Sequence, residues 1–316
     1  MFEFTLSHYI PLLTKSHISV IVLFLLGGVF SRCEEPVELG VVIQNDALIV
    51  NSVLYPEALA EVRVGTIRSY ATNDEADFVD DAVVEIYGIG DDPEAVLIYQ
   101  PGTNGIYRAE EFSPRSGMTY EVKVYADEYG ISSGQSYVPF PSQITNLESG
   151  NLVITEAGGD HIYSFDLQIE YEDASDELNF YHLRLFQGRD QFIVSADGDT
   201  IIFDSTKELI EFPPAPGYEY QMAGNNDGIL FADGAISGRH VFSLASRIDP
   251  EKELFGEIYT ELRTVTQEYY KYQNSVANSS VNIGGFTQPG SGYGNVKNGA
   301  GSVTGYSGSL DTIVIN

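Results

Sequence analysis

Asp197 and Asp199 stand one residue apart in the run ADGDT. Carboxylates at that spacing can supply two of the oxygens that a calcium ion collects from a tight loop. The flanking residues do not follow the EF-hand pattern, and Asp around Gly is also hairpin-turn chemistry, which is the reading favoured here. NDEADFVDD, GDDPE and EYEDASDE are further acidic clusters. A carboxylate pair for glycoside hydrolysis is defined by separation in space, so sequence singles out none. The histidines His161, His182 and His240 are far apart and lack metal-ligand spacing. His182 lies on the polar-alternate face of FYHLRLF, and each of the three is expected to be a structural or surface imidazole. HExxH and GxxxxGK[ST] do not occur, and the Gly-rich GSGYGNVKNG lacks the strand-to-helix setting of a phosphate loop. No catalytic, cofactor-binding or metal residue is therefore assigned, no cofactor is expected, and the chain is read as non-enzymatic. Aromatic side chains are the better lead, with 21 Tyr and 17 Phe but no Trp. Tyr suits recognition surfaces because one end is apolar and the other hydrogen-bonds. Tyr218, Tyr220, Tyr269, Tyr270, Tyr272 and Tyr293 are the tyrosines singled out, against a background in which most aromatics pack a core.

The remaining nucleophile is Cys33, the one cysteine in the chain. Ahead of it Lys15 precedes an apolar run, Ile18–Phe30. That run is short of the roughly 20 residues of a spanning helix. It fits the roughly 7–15 apolar residues of an export signal. Exported proteins pair their cysteines, so a single one needs another role. VFSRC resembles the lipobox of bacterial lipoproteins, in which the chain is cut before the Cys and the thiol is lipidated. Arg32 departs from the small residue usual at that position. Glu34 and Glu35 resemble the surface-export signal of Bacteroidota lipoproteins. The resemblance implies a signal peptide over residues 1–32, a palmitate-type anchor on Cys33 and exposure at the outer surface of the outer membrane.

The charge excludes one function class. Sixteen Lys and Arg face 46 Asp and Glu, giving a formal charge of -30. Such a chain repels nucleic-acid phosphates. Its hydrophobic content, 43%, is that of a globular protein rather than a disordered one.

The elements that must position these residues are read from periodicity. ELGVVIQND, ALIVNSVL and AEVRVGTIRSY are short β-branched runs. Val83, Glu85 and Tyr87 alternate with Val84 and Ile86, and Tyr120, Val122 and Val124 alternate with Glu121, Lys123 and Tyr125. These strands and their Gly/Pro turns predict an immunoglobulin-like or transthyretin-like sandwich over residues 33–142. Pro139 and Pro141 in YVPFP mark its end. Residues 143–316 predict a larger β-rich domain, in which Tyr163, Phe165, Leu167 and Ile169 share a face. One short helix is expected near residues 265–277, with Thr264 and Gln267 at capping-box spacing. Val265, Tyr269, Tyr272 and Val276 would share its face. The Gly-rich tail is expected to pack through Phe286, Tyr293, Val303 and Tyr306 and to end in a strand, DTIVIN.

The order of these features is itself informative. A lipobox, a sandwich holding NGIYRAEEFSPRSGMTYEVKVYADEYG, then YVPFP, GILFADGAISGRHVFSL, LRTVTQEYYKYQNSV and TQPGSGYGNVKNGAGSVTGYS follow one another. This set resembles a Bacteroidota lipoprotein family catalogued as a domain of unknown function. Members are often encoded beside TonB-dependent outer-membrane receptors, which implies a surface accessory to nutrient uptake with a β-barrel receptor as partner. The family supplies no catalytic residue to carry over. A cell-surface glycan-active hydrolase and an adhesin or structural surface protein stay open as alternatives, and the ligand-binding residues and the ligand are not given by sequence.

Overall fold

The computed structural model describes residues 47–66, 78–88, 90, 92–172, 178–214, 220–232, 238–278 and 292–315. Cys33, Glu34, Glu35, Tyr218, Phe286 and the expected strand in ELGVVIQND lie outside the described residues. The protein is mainly β. Its first seven strands are β1 (Leu48–Leu54), β2 (Glu61–Thr66), β3 (Val83–Tyr87), β4 (Ala95–Tyr99), β5 (Ile106–Arg108), β6 (Met118–Ala126) and β7 (Gly130–Val138). They run side by side in the order β1-β2-β5-β4-β3-β6-β7. The sheet doubles over one core, because residues from both ends, such as Val50, Val62, Ile86 and Val122, belong to a single buried cluster. Tyr120, Val122 and Val124 point into it, as their alternation predicts, while Tyr125 faces solvent. Each fully buried aliphatic side chain contributes roughly 1.5–3 kcal/mol.

The rest of the chain adds β8 (Ile144–Ala157), β9 (Asp160–Tyr171), β10 (Phe180–Val194), β11 (Thr200–Leu209), β12 (Gln221–Met222), β13 (Ile229–Ala232), β14 (Arg239–Ile248), β15 (Glu253–Val265) and β16 (Val303–Ile313). A three-stranded sheet, β14-β9-β8, lies over the continuation β12-β13-β10-β15-β16 of the large sheet. The core between them takes Phe165, Leu167 and Ile169 from one side and Leu183, Leu185 and Leu262 from the other. The helix α1 (Gln267–Asn278) covers the opposite face of β10 and β15, packing Tyr269 with Leu230, Val265 and Tyr306.

Helix α1 starts later than the capping-box spacing suggests. Thr266, not Thr264, is its cap: the Tyr269 amide donates to Thr266 Oγ1 at 3.2 Å, satisfying an orphan N–H of the first turn. Thr264 still belongs to β15, where its hydroxyl accepts from the Ser142 amide at 2.9 Å. The strand hydrogen bonds win because β15 is held on both sides, by β10 and β16.

Strand β16 joins the two halves of the large sheet. Ser307–Ile313 pair antiparallel with β15, and Val303–Gly305 pair parallel with β1. The segment before it crosses to the far edge of the first sheet, where Lys297 and Ser133 exchange backbone hydrogen bonds at 2.7 and 3.1 Å. Gly305 passes so close to β7 that a Cβ there would lie 2.2 Å from the Tyr137 carbonyl oxygen. No other residue fits that crossing.

Candidate functional site

Asn51 of β1 and Glu61 and Arg63 of β2 are polar residues at outward positions, beside the outward Ile49 and Val53. Register places Asn51 opposite Arg63 across β1–β2, and Glu61 opposite Arg108 across β2–β5. These side chains form one wall of a cleft of about 560 Å³. The β1–β2 turn closes one end with Tyr55 and Leu59, and Tyr272 of α1 lines it as well. Its size falls in the range of small-molecule sites, about 300–1,000 Å³.

The electrostatics of the cleft run against those of the chain. Arg108 donates to Glu61 Oε2 from Nη2 at 2.6 Å and from Nε at 3.2 Å. Both side chains are well exposed, so the pair contributes at most about 1 kcal/mol to stability. Arg63 has no ion pair among the described residues. The wall thus carries two guanidinium groups and one carboxylate on a protein of charge -30. A planar guanidinium with free N–H groups is a carboxylate or phosphate receptor, and Tyr55 and Tyr272 offer apolar faces beside it.

Behind the cleft lies a support layer. The Tyr55 ring stacks on Tyr306 with centroids 4.7 Å apart and planes 12° from parallel. The Arg263 guanidinium lies over the other side of this aromatic pair, 4.3 Å from the Tyr306 centroid. Arg263 belongs to a closed ring of polar contacts. Its Nε donates to Glu261 at 2.7 Å, and Arg184 donates to the other Glu261 oxygen at 2.8 Å. Arg184 also donates to the Asp227 carboxylate at 2.9 Å. The Asp227 carbonyl bonds His182 Nε2, and His182 Nδ1 lies 2.9 Å from the Tyr269 hydroxyl. Arg263 closes the ring at 3.4 Å from that hydroxyl.

The ring fixes protonation states. A carbonyl oxygen only accepts, so His182 Nε2 carries the proton and Nδ1 accepts from Tyr269. Burial pushes the His182 pKa down to about 4, keeping it neutral at pH 7. Burial also raises Glu261, but Arg263 and Arg184 outweigh it and leave the carboxyl below its ordinary range. Buried, compensated ion clusters of this kind hold a single geometry rather than add much stability.

The residues singled out in sequence end in different places. Tyr269 is buried under the ring and Tyr272 lines the cleft. Tyr270 packs on Phe180, and Tyr220 sits at the edge of the sheet-on-sheet core beside Phe212 and Phe242. Tyr293 receives Lys271 over its ring at 5.5 Å. His182, on the polar-alternate face of its strand, is fully buried because α1 covers that side of β10. His240 is buried among Tyr171, Phe231 and Phe242, and burial lowers its pKa to about 4. His161 remains partly exposed beside Glu156, 3.7 Å away. Asp197 and Asp199 lie in the exposed β10–β11 turn, where the Asp199 amide donates to Ser195 Oγ at 3.0 Å. Among the described residues no three His, Cys, Asp or Glu side chains gather as a metal site.

Tyr55, Arg63 and Arg108 escaped the sequence reading. Their signal was available: arginine is scarce in this chain, and these two occupy outward positions of neighbouring strands. What sequence lacks is the register that brings residues 61 and 108 together.

No curated protein matches the chain. Among solved structures, one containing manganese lipoxygenase of Gaeumannomyces graminis and part of zonadhesin of Komagataella pastoris aligns at 12% identity. That alignment covers 69% of this chain and 88% of the other with a TM-score of 0.12, too low to relate the folds. The sequence pattern of one family does match, over residues 34–310, and that is nearly all of the chain beyond Cys33. The chain belongs to the family described as a domain of unknown function, DUF4249.

Proposed function

We propose that this protein is a non-enzymatic binding accessory at the outer surface of a Bacteroidota outer membrane. A lipid on Cys33 holds it there, and it passes a captured ligand to a TonB-dependent β-barrel receptor. The observation that carries a binding role is the cleft, where Arg63 and Arg108 stand beside Tyr55 and Tyr272 on a strongly acidic protein. A preformed concave site with few convergent polar groups is what ligand capture needs. The lipobox-like VFSRC and the two glutamates after it support the address.

The test is purification of the native protein from outer membranes in mild detergent at native expression. Co-recovery of a β-barrel receptor is the expected result, and recovery without one overturns the accessory role. In the same fractions Cys33→Ser is expected to leave the membrane pellet. Retention of that variant in the pellet would show that the lipid is not the anchor.

A further inference from the structure

The inner face of β10 reads Tyr181, Leu183, Leu185, then Gln187 and Arg189. The facing strand β14 does the same, with Phe242 and Leu244 followed by Ser246. Apolar core positions on two opposed strands thus turn polar at one level of the sandwich. A notch of about 410 Å³ opens there between β10–β11 and β14. Gln187 is 1% exposed, yet its amide nitrogen has no hydrogen-bond partner among the described residues. Its carbonyl oxygen accepts from Ser246 Oγ. Arg189 Nε, also buried, has no partner there either. Buried donors are almost always satisfied, so two orphan donors on residues that line one cavity point to an acceptor that belongs beside them.

The strand is shaped for this. The β10–β15 register shifts between Gln187 and Arg189, at Gly188. Gly256 crosses Gly188 so closely that a Cβ on it would lie 2.7 Å from the Gly188 carbonyl oxygen. Bulges re-aim side chains next to sites, and here the two residues flanking the shift carry the orphan donors.

Charge selects the class of occupant. Arg189 is neutralised by Glu208 at 2.5 Å and Glu253 at 3.2 Å, and Arg247 by Asp160 at 3.3 Å. Glu208 and Glu211 line the same notch. An anion would meet these carboxylates, and a cation would meet guanidinium groups. A neutral molecule with adjacent hydroxyls matches both sets, accepting from Gln187 and Arg189 and donating to Glu208 or Glu211. We propose that the notch between β10–β11 and β14 is a second binding site, for a neutral polyhydroxylated ring of monosaccharide size. It is separate from the Arg63–Tyr55 cleft and does not depend on how that cleft is used.

The probes are neutral hexoses and pentoses, with acetate and inorganic phosphate beside them. The readout is the Gln187 side-chain amide signal in a ¹⁵N-labelled protein, assigned by its loss in Gln187→Leu. At least one sugar is expected to shift that signal saturably at millimolar concentration, and acetate and phosphate are not. Arg189→Lys, which removes the Nε donor but keeps the charge, is expected to weaken that sugar at least threefold. The Gln187→Leu melting temperature, measured in parallel, shows that the signal is lost with the amide and not with the fold. A signal moved by no sugar, with water cross-peaks to the amide, makes the notch a water site and overturns the proposal. A signal moved by acetate or phosphate in preference to sugars overturns the assigned class.

Discussion

His182 shows at the scale of one residue what burial does to this protein. Its imidazole is neutral and wedged between the Asp227 carbonyl and Tyr269. The pKa falls from 6.5 to about 4 on folding, chiefly through burial. A depressed pKa means that the unfolded chain takes up protons first. The stability held by neutral His182 is therefore complete above about pH 6.5 and is lost as pH falls towards 4. The loss is on the order of 3 kcal/mol. Relief of self-repulsion in a chain of charge -30 acts in the opposite sense over the same range. The informative measurement is therefore a difference. Urea midpoints of wild type and His182→Gln, taken between pH 7 and 4, are expected to converge at the acid end. Parallel curves would mean that His182 titrates normally. Sequence placed His182 on the polar-alternate face of its strand and left open whether it is a structural or a surface imidazole. Its cover, Tyr269, comes 87 residues later, and strand periodicity says nothing about what packs on a polar face.

At the scale of elements, short-range pattern was legible and long-range pairing was not. Tyr120, Val122 and Val124 follow the period of two, and so do Phe165, Leu167 and Ile169, because a pleated strand imposes it locally. The helix was found through its tyrosines, but its first turn moved because β15 held Thr264. Of the expected tail strand DTIVIN, Asp311–Ile313 lie in β16, whose upstream half was hidden in the Gly-rich run GSVTGYSG. That half does the most for the fold. Val303 belongs to the core of the first sheet, and the Asn295 side chain bonds both the Gln135 and the Val303 carbonyls at 3.1 and 2.8 Å. Without the segment from 292 to 305, β1 loses its parallel partner and β7 its cover. A fragment ending at residue 142 is expected to populate an unfolded or aggregated state, since it exposes two long strand edges. Adding a peptide of residues 292–316 is expected to restore near-native circular dichroism. A cooperative melt of the fragment alone would show the first sheet to be self-sufficient.

At the scale of the whole molecule, the charge and the cleft act together. A protein of charge -30 repels small anions over a Debye length, about 10 Å at 0.1 M salt. Within the cleft, Arg63 and Arg108 set against Glu61 leave one formal positive charge on the wall. Long-range repulsion is screened more readily than contact between a guanidinium and a carboxylate held against tyrosine faces. The two effects therefore separate in kinetics. For benzoate, whose ring suits Tyr55 and Tyr272, the association rate is expected to rise between 20 and 150 mM salt, values chosen to move the screening length severalfold. A cleft governed by its own arginines alone predicts a falling rate. Arg63→Ala removes one charge-assisted contact, worth roughly 1.5 kcal/mol, and is expected to weaken benzoate about tenfold. Stopped-flow tyrosine fluorescence reads both quantities in one series. Unchanged affinity in Arg63→Ala would leave the cleft without its anion receptor. A rate that falls with salt in the wild type would mean that the acidic surface does not govern what reaches it.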